Sequence, residues 1–197
     1  VCFDLFGTLV DAERPVDPAS AVADALRDRG VAVPSDWEAA YSEPHIDAPD
    51  GAEVPLPAHV SAALASRGVD APNNAPRRAV VSAFDPDVDT RPGATEAVEA
   101  AREYGPVGLL SNCSVPELVG RTLIRSELSR EDFDAIVSSV GCGWRKPDRR
   151  AFETVARKLG VPVDRLVYVG DSPAIDGGIE DCGGTFVDVA DTPLSRL

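Results

Sequence analysis

The sequence predicts an α/β fold built on a parallel sheet, with a helical segment inserted early in the chain. Three observations carry that expectation. From Arg91 onward, short apolar runs alternate with stretches of helical spacing, the pattern of βαβ units and parallel pairing. Residues 12–89 break that rhythm: they hold more than half of the 17 prolines and show no strand pattern. Finally, 197 residues with 44% hydrophobic composition suffice for one packed domain with a modest insertion, which excludes general disorder.

The elements follow in order. Val1–Leu5 is apolar apart from Asp4 and runs straight into Gly7-Thr8, which reads as a short buried strand closed by a turn. In the insertion, Ala21, Val22, Ala25 and Leu26 recur at helical spacing within Ala19–Arg29, with Ser20 or Asp17 as the cap. Further helical pieces are expected at Trp37–Tyr41, Ala58–Arg67 and Arg77–Phe84. The regular part then predicts helix Gly93–Glu103, strand Val107–Leu110, helix Pro116–Glu127 and strand Ala135–Ser138. Helix Arg149–Leu159, strand Leu166–Val169, helix Ala174–Cys182 and strand Thr185–Val189 complete it. The expected organisation is a discontinuous main domain, residues 1–11 and 90–197, with residues 12–89 inserted after the first strand.

Composition narrows the function classes. With 33 acidic against 19 basic residues the net charge is -14, so a phosphate backbone would meet a surface of its own sign and nucleic acid is excluded as a partner. No apolar run approaches the ~18 residues of a membrane span. The four cysteines, Cys2, Cys113, Cys142 and Cys182, form no CxxC pair, and only His45 and His59 accompany them. Zinc is therefore not expected, and reduced thiols in a cytoplasm are. No secretory leader pattern opens the sequence; it begins at Val1 inside a strand pattern and contains no Met, so further residues are expected to precede it. The basic residues are 17 Arg and two Lys, Lys146 and Lys158, and the acids are 21 Asp and 12 Glu. That profile resembles proteins of salt-loving archaea; an acidic protein from a GC-rich genome is the alternative. The expected partner is a small molecule, and the expected state a monomer or homodimer.

In open α/β sheets, ligands bind at the carboxyl ends of the strands. Here those ends carry Asp4, then Ser111-Asn112, then Lys146, then Asp171. Two carboxylates, a hydroxyl with an amide, and an ammonium on one sheet edge make a reaction centre.

Four motifs at these ends resemble one family. Asp4-Leu5-Phe6-Gly7-Thr8-Leu9-Val10-Asp11, Leu109-Leu110-Ser111-Asn112, Arg145-Lys146-Pro147-Asp148 and Val169-Gly170-Asp171-Ser172, with Asp176 beyond, are similar in kind and order to the motifs of the haloacid dehalogenase superfamily of hydrolases. The resemblance implies a Rossmann-like core with an inserted helical cap, residues 12–89. It also implies that Asp4 is the nucleophile, splitting one displacement into two through a covalent intermediate. Thr8, Ser111 and Asn112 would hold substrate oxygens, and Lys146 would steady transition-state charge. Mg²⁺ would be held by Asp4, the Phe6 carbonyl and Asp171, with Asp176 orienting Lys146 or a metal-bound water. A compact ammonium is not freely replaced by a planar guanidinium, so a lysine kept at position 146 of an arginine-rich chain agrees with that role. Lys158 reads as a solvated helix-end residue.

The sequence departs from the family's phosphatase pattern at one place. Phosphatases of this superfamily mostly carry a second Asp two residues after the nucleophile, as general acid and base; here Phe6 stands there. An aromatic at that position resembles the dehalogenases, whereas Gly170-Asp171-Ser172 with Asp176 resembles the metal-binding phosphatases. The leading expectation is a Mg²⁺-dependent phosphatase, the second a 2-haloacid dehalogenase, and the third a catalytically weak phospho-ligand binding protein. His45, His59 or an acidic residue of the insertion could replace the missing acid. Arg14, ahead of Arg77 and Arg78, is the candidate for an anion contact.

Overall fold

We describe residues 1–197 in a computed structural model. The chain forms β1 (Cys2–Phe3), β2 (Val10–Ala12), α1 (Pro18–Arg27), α2 (Trp37–Ser42), α3 (Leu56–Ser66), α4 (Ala75–Ala83) and β3 (Val88–Thr90). It continues through α5 (Ala94–Ala101), β4 (Gly108–Ser111), α6 (Leu118–Arg125), β5 (Ala135–Ser138), α7 (Ser139–Cys142), α8 (Arg149–Leu159), β6 (Val167–Gly170), α9 (Pro173–Asp176) and β7 (Thr185–Asp188). No helix is long and apolar enough to cross a membrane.

Five strands form one parallel sheet in the order β5-β4-β1-β6-β7. Successive side chains on a strand face opposite sides, and two hydrophobic clusters result. One face carries Phe3, Leu109 and Val169 and packs on α5, α6 and the inserted helices. The other carries Cys2, Leu110 and Tyr168 and packs on α8 through Phe152 and Val155, with Ile179 beside them.

The inserted helices bury Val22 and Leu26 from α1, Trp37 from α2, Val60 and Leu64 from α3, and Val80 from α4. Side chains of this size each contribute about 1.5–3 kcal/mol on full burial. They share one continuous cluster with the sheet face. The cap of α1 is Asp17, whose carboxylate accepts from the Ser20 amide at 3.0 Å.

Three local expectations need correction. Two strands were not expected: β2 and β3 pair antiparallel, Val10 with Thr90 through Ala12 with Val88, at the two ends of the stretch 12–89. Three residues interrupted by Asp are too short to show a period. The helix expected over Ala174–Cys182 is one α turn followed by 3₁₀ backbone over Gly177–Cys182. Two adjacent glycines disfavour α-helix, and a Cβ on Gly178 would lie 2.6 Å from Pro147 Cβ. Lys146, placed at the end of a strand by the sequence pattern, lies instead beyond α7 in a loop; β5 ends at Ser138.

Candidate active site

The site is built on the carboxyl edge of β1, β4 and β6. Asp4 continues β1, its amide donating to the Val169 carbonyl at 2.9 Å. The chain then turns back tightly, with the Leu9 and Val10 amides bonded to the Leu5 carbonyl at 2.9 and 3.0 Å. Gly7 stands in that turn at φ +84°, and a Cβ there would lie 2.3 Å from Asp171 Oδ2. Both its left-handed backbone and its missing side chain are needed for the turn to approach Asp171.

Lys146 reaches the edge because Asn112 holds its peptide group. The Lys146 amide donates to Asn112 Oδ1 at 2.8 Å, and Asn112 Nδ2 donates to the Lys146 carbonyl at 2.9 Å. The ammonium is 3% exposed by residue and donates to three acceptors: Asp4 Oδ1 at 2.7 Å, Asp176 Oδ1 at 2.7 Å and the Tyr168 hydroxyl at 2.6 Å. The Tyr168 hydroxyl in turn donates to the Leu110 carbonyl at 2.6 Å. Sequence reasoning missed Tyr168. Its signal was a single hydroxyl in the otherwise apolar strand β6, and a buried hydroxyl must find a partner.

Oxygens of Asp4, Asp171 and Asp176 lie within 4.8 Å of one another. Asp176 is engaged on both oxygens, since its Oδ2 accepts from the Ser172 amide at 3.1 Å. Asp171 is exposed, with the Thr8 hydroxyl 3.4 Å from its Oδ1. The Asp4 carboxyl is raised to about 6, chiefly by burial and also by the Asp176 carboxylate, with Lys146 acting against both. For Lys146, burial acts to lower the pKa, but Asp4 and Asp176 outweigh it and the net direction is upward. Two carboxylates pair with one ammonium and a third, Asp171, lies within reach of both, an all-oxygen set with excess negative charge that fits a hard divalent cation such as Mg²⁺. Beside them the Ser111 hydroxyl is buried without any hydrogen-bond partner. Buried polar atoms left unmatched in a protein call for an explanation, and a substrate oxygen would satisfy this one.

The remaining candidates lie farther out. The Phe6 ring is half-buried at the mouth, with the Arg14 guanidinium 5.9 Å from its centre. Phe6 and Arg14 line a cavity of about 150 Å³ together with Phe84, Asn112, Leu118 and Arg145 among others. They also line an acidic cleft with Asp11, Glu13, Asp87, Asp89 and Asp171. The most spacious cavity, about 710 Å³ beside α6 and β5, contains none of the motif residues. Both histidines are engaged inside the insertion, with His45 Nε2 at 2.6 Å from the Ala40 carbonyl and His59 Nε2 at 2.7 Å from that of Tyr41. Arg77 pairs with Glu117 at the surface, and Lys158 is exposed in the last turn of α8.

Comparison with known proteins places this geometry. Phosphatase MT3486 of Mycobacterium tuberculosis is 35% identical over 81 residues, which are 41% of this chain and 37% of that relative. This chain is similar in fold to the 2-haloacid dehalogenase of Pseudomonas syringae pv. Tomato, with a TM-score of 0.61 at 18% identity, covering 95% of this chain and 84% of that one. A haloacid dehalogenase family enzyme of Bacteroides thetaiotaomicron, solved with magnesium and inorganic phosphate, matches with a TM-score of 0.61 at 18% identity over 95% and 91% of the two chains. CbbY of Rhodobacter sphaeroides, solved with phosphate, matches with a TM-score of 0.60 at 21% identity over 94% and 83%. The family model for haloacid dehalogenase-like hydrolases matches residues 1–178. With the motif residues gathered on one sheet edge and the match running through nearly the whole chain, this protein belongs to the haloacid dehalogenase-like hydrolases.

Proposed function

We propose that this hydrolase is a Mg²⁺-dependent phosphatase of a small phosphorylated metabolite, working through an aspartyl-phosphate at Asp4. The observation that carries the reading is the cluster of Asp4, Asp171 and Asp176 oxygens within 4.8 Å of one another, with a single ammonium, Lys146, paired to Asp4 and Asp176. A metal-free site would leave three carboxylates against one ammonium, two of them buried and the third, Asp171, at the solvent edge. Asp4, Asp171 and the Phe6 carbonyl would hold the ion, which would supply charge neutralisation and draw the phosphoryl oxygens toward Asp4.

The chain's own groups account for the rest. A carboxylate oxygen of Asp4 attacks phosphorus, the bond to the leaving oxygen breaks, and an acyl phosphate forms. Water then attacks that phosphorus, releasing inorganic phosphate and regenerating the Asp4 carboxylate. Lys146, held by three acceptors, presents fixed positive charge to the oxygens in flight, and Ser111 and Thr8 offer hydroxyls to them. Asn112 acts chiefly on Lys146, since its amide is committed to the Lys146 peptide. Phe6 can donate no proton to the leaving group. General acid catalysis contributes typically ~10² to 10⁴, so acidic leaving groups such as acyl phosphates and phenols are favoured over alkyl alcohols. The inserted segment acts as a cap over the edge, with Arg14 as its anion contact. The acidic, lysine-poor surface suits molar salt in a cytoplasm.

One observation favours a second reading, 2-haloacid dehalogenation: a halide leaves unprotonated, and Phe6 would then cost nothing. The test is phosphate release from p-nitrophenyl phosphate in molar KCl, with and without Mg²⁺. Release that needs Mg²⁺ and falls at least about thousandfold in Asp4→Asn is expected. No release, or equal activity in the variant, overturns the phosphatase reading; metal-independent halide release from 2-chloropropionate would install the dehalogenase in its place.

A further inference from the structure

Glu53 is a buried carboxylate for which the chemistry above has no use. It belongs to the inserted segment, between α2 and α3, yet its side chain is only 1% exposed and its partners all lie in the core. The Ser139 hydroxyl donates to Glu53 Oε2, and the same Ser139 oxygen accepts from the Cys113 amide at 2.8 Å. The other carboxylate oxygen lies 3.4 Å from Arg145 Nη1. Glu53 therefore touches two core segments at once. Through Ser139 it reaches the turn that follows Ser111 and Asn112, and through Arg145 it reaches the residue next to Lys146.

The backbone repeats the same connection. The Glu53 amide donates to the Gly143 carbonyl and the Arg145 amide to the Gly51 carbonyl, both at 2.9 Å, so that Ala52 and Trp144 pair as a one-residue antiparallel bridge. The Leu56 amide donates to the Ser114 carbonyl at 2.9 Å. Arg150 lies 3.2 Å over the Trp144 ring and donates to the Asp50 carbonyl at 3.0 Å. Residues 50–56 thus form a strap across both the lysine loop and the turn after β4, with one buried charge at its centre. A carboxylate is placed at such a position only if its partners repay its desolvation, and those partners are the supports of Ser111 and Lys146.

We propose that Glu53 is a positioning residue: by bridging the Ser139–Cys113 turn to the Arg145–Lys146 loop, it sets Ser111 and Lys146 in register with Asp4 and makes correct seating of the inserted segment a condition of a competent site. The kinetic part of this inference rests on the phosphatase reading; the structural part does not. Misplacement of catalytic groups by about 1 Å costs ~10² in rate. Glu53→Ala is expected to lower kcat for p-nitrophenyl phosphate by about that factor, with KM changed less than about threefold, while Glu53→Gln, which can still accept from Ser139, loses only about tenfold.

Amide hydrogen exchange supplies the readout that needs no turnover. In Glu53→Ala, exchange at Cys113 and across residues 143–148 is expected to quicken by about tenfold or more, with β7 unaffected. Ser139→Ala removes only one arm of the bridge and should quicken Cys113 while leaving 143–148 protected. Unchanged exchange in Glu53→Ala overturns the proposal, whatever the activity. Faster exchange with full kcat overturns it too, because Glu53 then holds the strap down without placing the site. A wild-type protein that releases no phosphate sinks the phosphatase reading; kcat and KM are then read on 2-chloropropionate, and the same exchange criteria apply.

Discussion

Toward the sheet, Asp4, Asp176 and Tyr168 all accept from the one buried ammonium of Lys146, and Tyr168 and Asp176 are anchored in turn by the Leu110 carbonyl and the Ser172 amide. Toward solvent, in the cleft that Phe6 also lines, the walls carry Asp11, Glu13, Asp87 and Asp89, all exposed. The inner side is buried and fixed; the outer side is wet, acidic and adjustable. Groups that bear the chemistry must be held within narrow limits before the substrate arrives. Groups that choose the substrate need only be within reach of it, and loops carry such roles more readily than strand ends. Phe6 marks the border between the two, and its departure from the family's phosphatase pattern falls at that border.

Three experiments press on this division. The largest effect is expected on the inner side, from Lys146→Arg. A planar guanidinium cannot meet three acceptors converging on one point, so kcat/KM should fall by about 10² to 10³ with the fold intact by circular dichroism. Activity within about fivefold of wild type would show the inner set to be less exacting than its geometry suggests. Next comes the border itself. Phe6→Asp supplies a carboxyl where leaving groups depart, and turnover of alkyl phosphates should rise by about 10² relative to that of p-nitrophenyl phosphate. If the ratio of the two substrates does not move, an acid already reaches the leaving group from the outer side, and Glu13 is the first residue to substitute.

The smallest effect concerns stability. Because burial raises the Asp4 carboxyl from 3.8 to about 6, its ionised form is disfavoured in the folded protein relative to the unfolded one. The metal-free wild type therefore loses stability relative to Asp4→Asn as pH rises from about 4 through about 6. In chelator, the variant's advantage in thermal midpoint should grow by a few degrees, roughly, over that range and then level off. A difference independent of pH would mean that Asp4 titrates as an ordinary surface carboxylate.

The same division governs what could be read from the sequence. Asp4, Ser111 and Asp171 were legible because each sits where an apolar run stops, and a strand's end is written locally. Lys146 was legible through its motif and its rarity, although the loop that delivers it was not. Its position depends on Asn112, whose amide was expected to meet substrate oxygens and is bonded instead to the Lys146 peptide. Tyr168 and Glu53 escaped because their partners lie 22 and 86 residues away, and no local period encodes such a pairing. The ribbon of β2 and β3 escaped for the opposite reason, being too short to have a period. Long-range choices of partner are settled by packing, after the elements have formed.

The ammonium of Lys146 has committed all three of its N–H donors, to Asp4, Asp176 and Tyr168. A charge pinned at three corners cannot follow an arriving ligand or lend it a proton without first letting go of a neighbour. It works as a surveyor's benchmark: the nucleophile, the carboxylate behind it and the strand beneath are all levelled against one immobile point. Whatever adapts from one substrate to the next has to do so on the far side of Phe6.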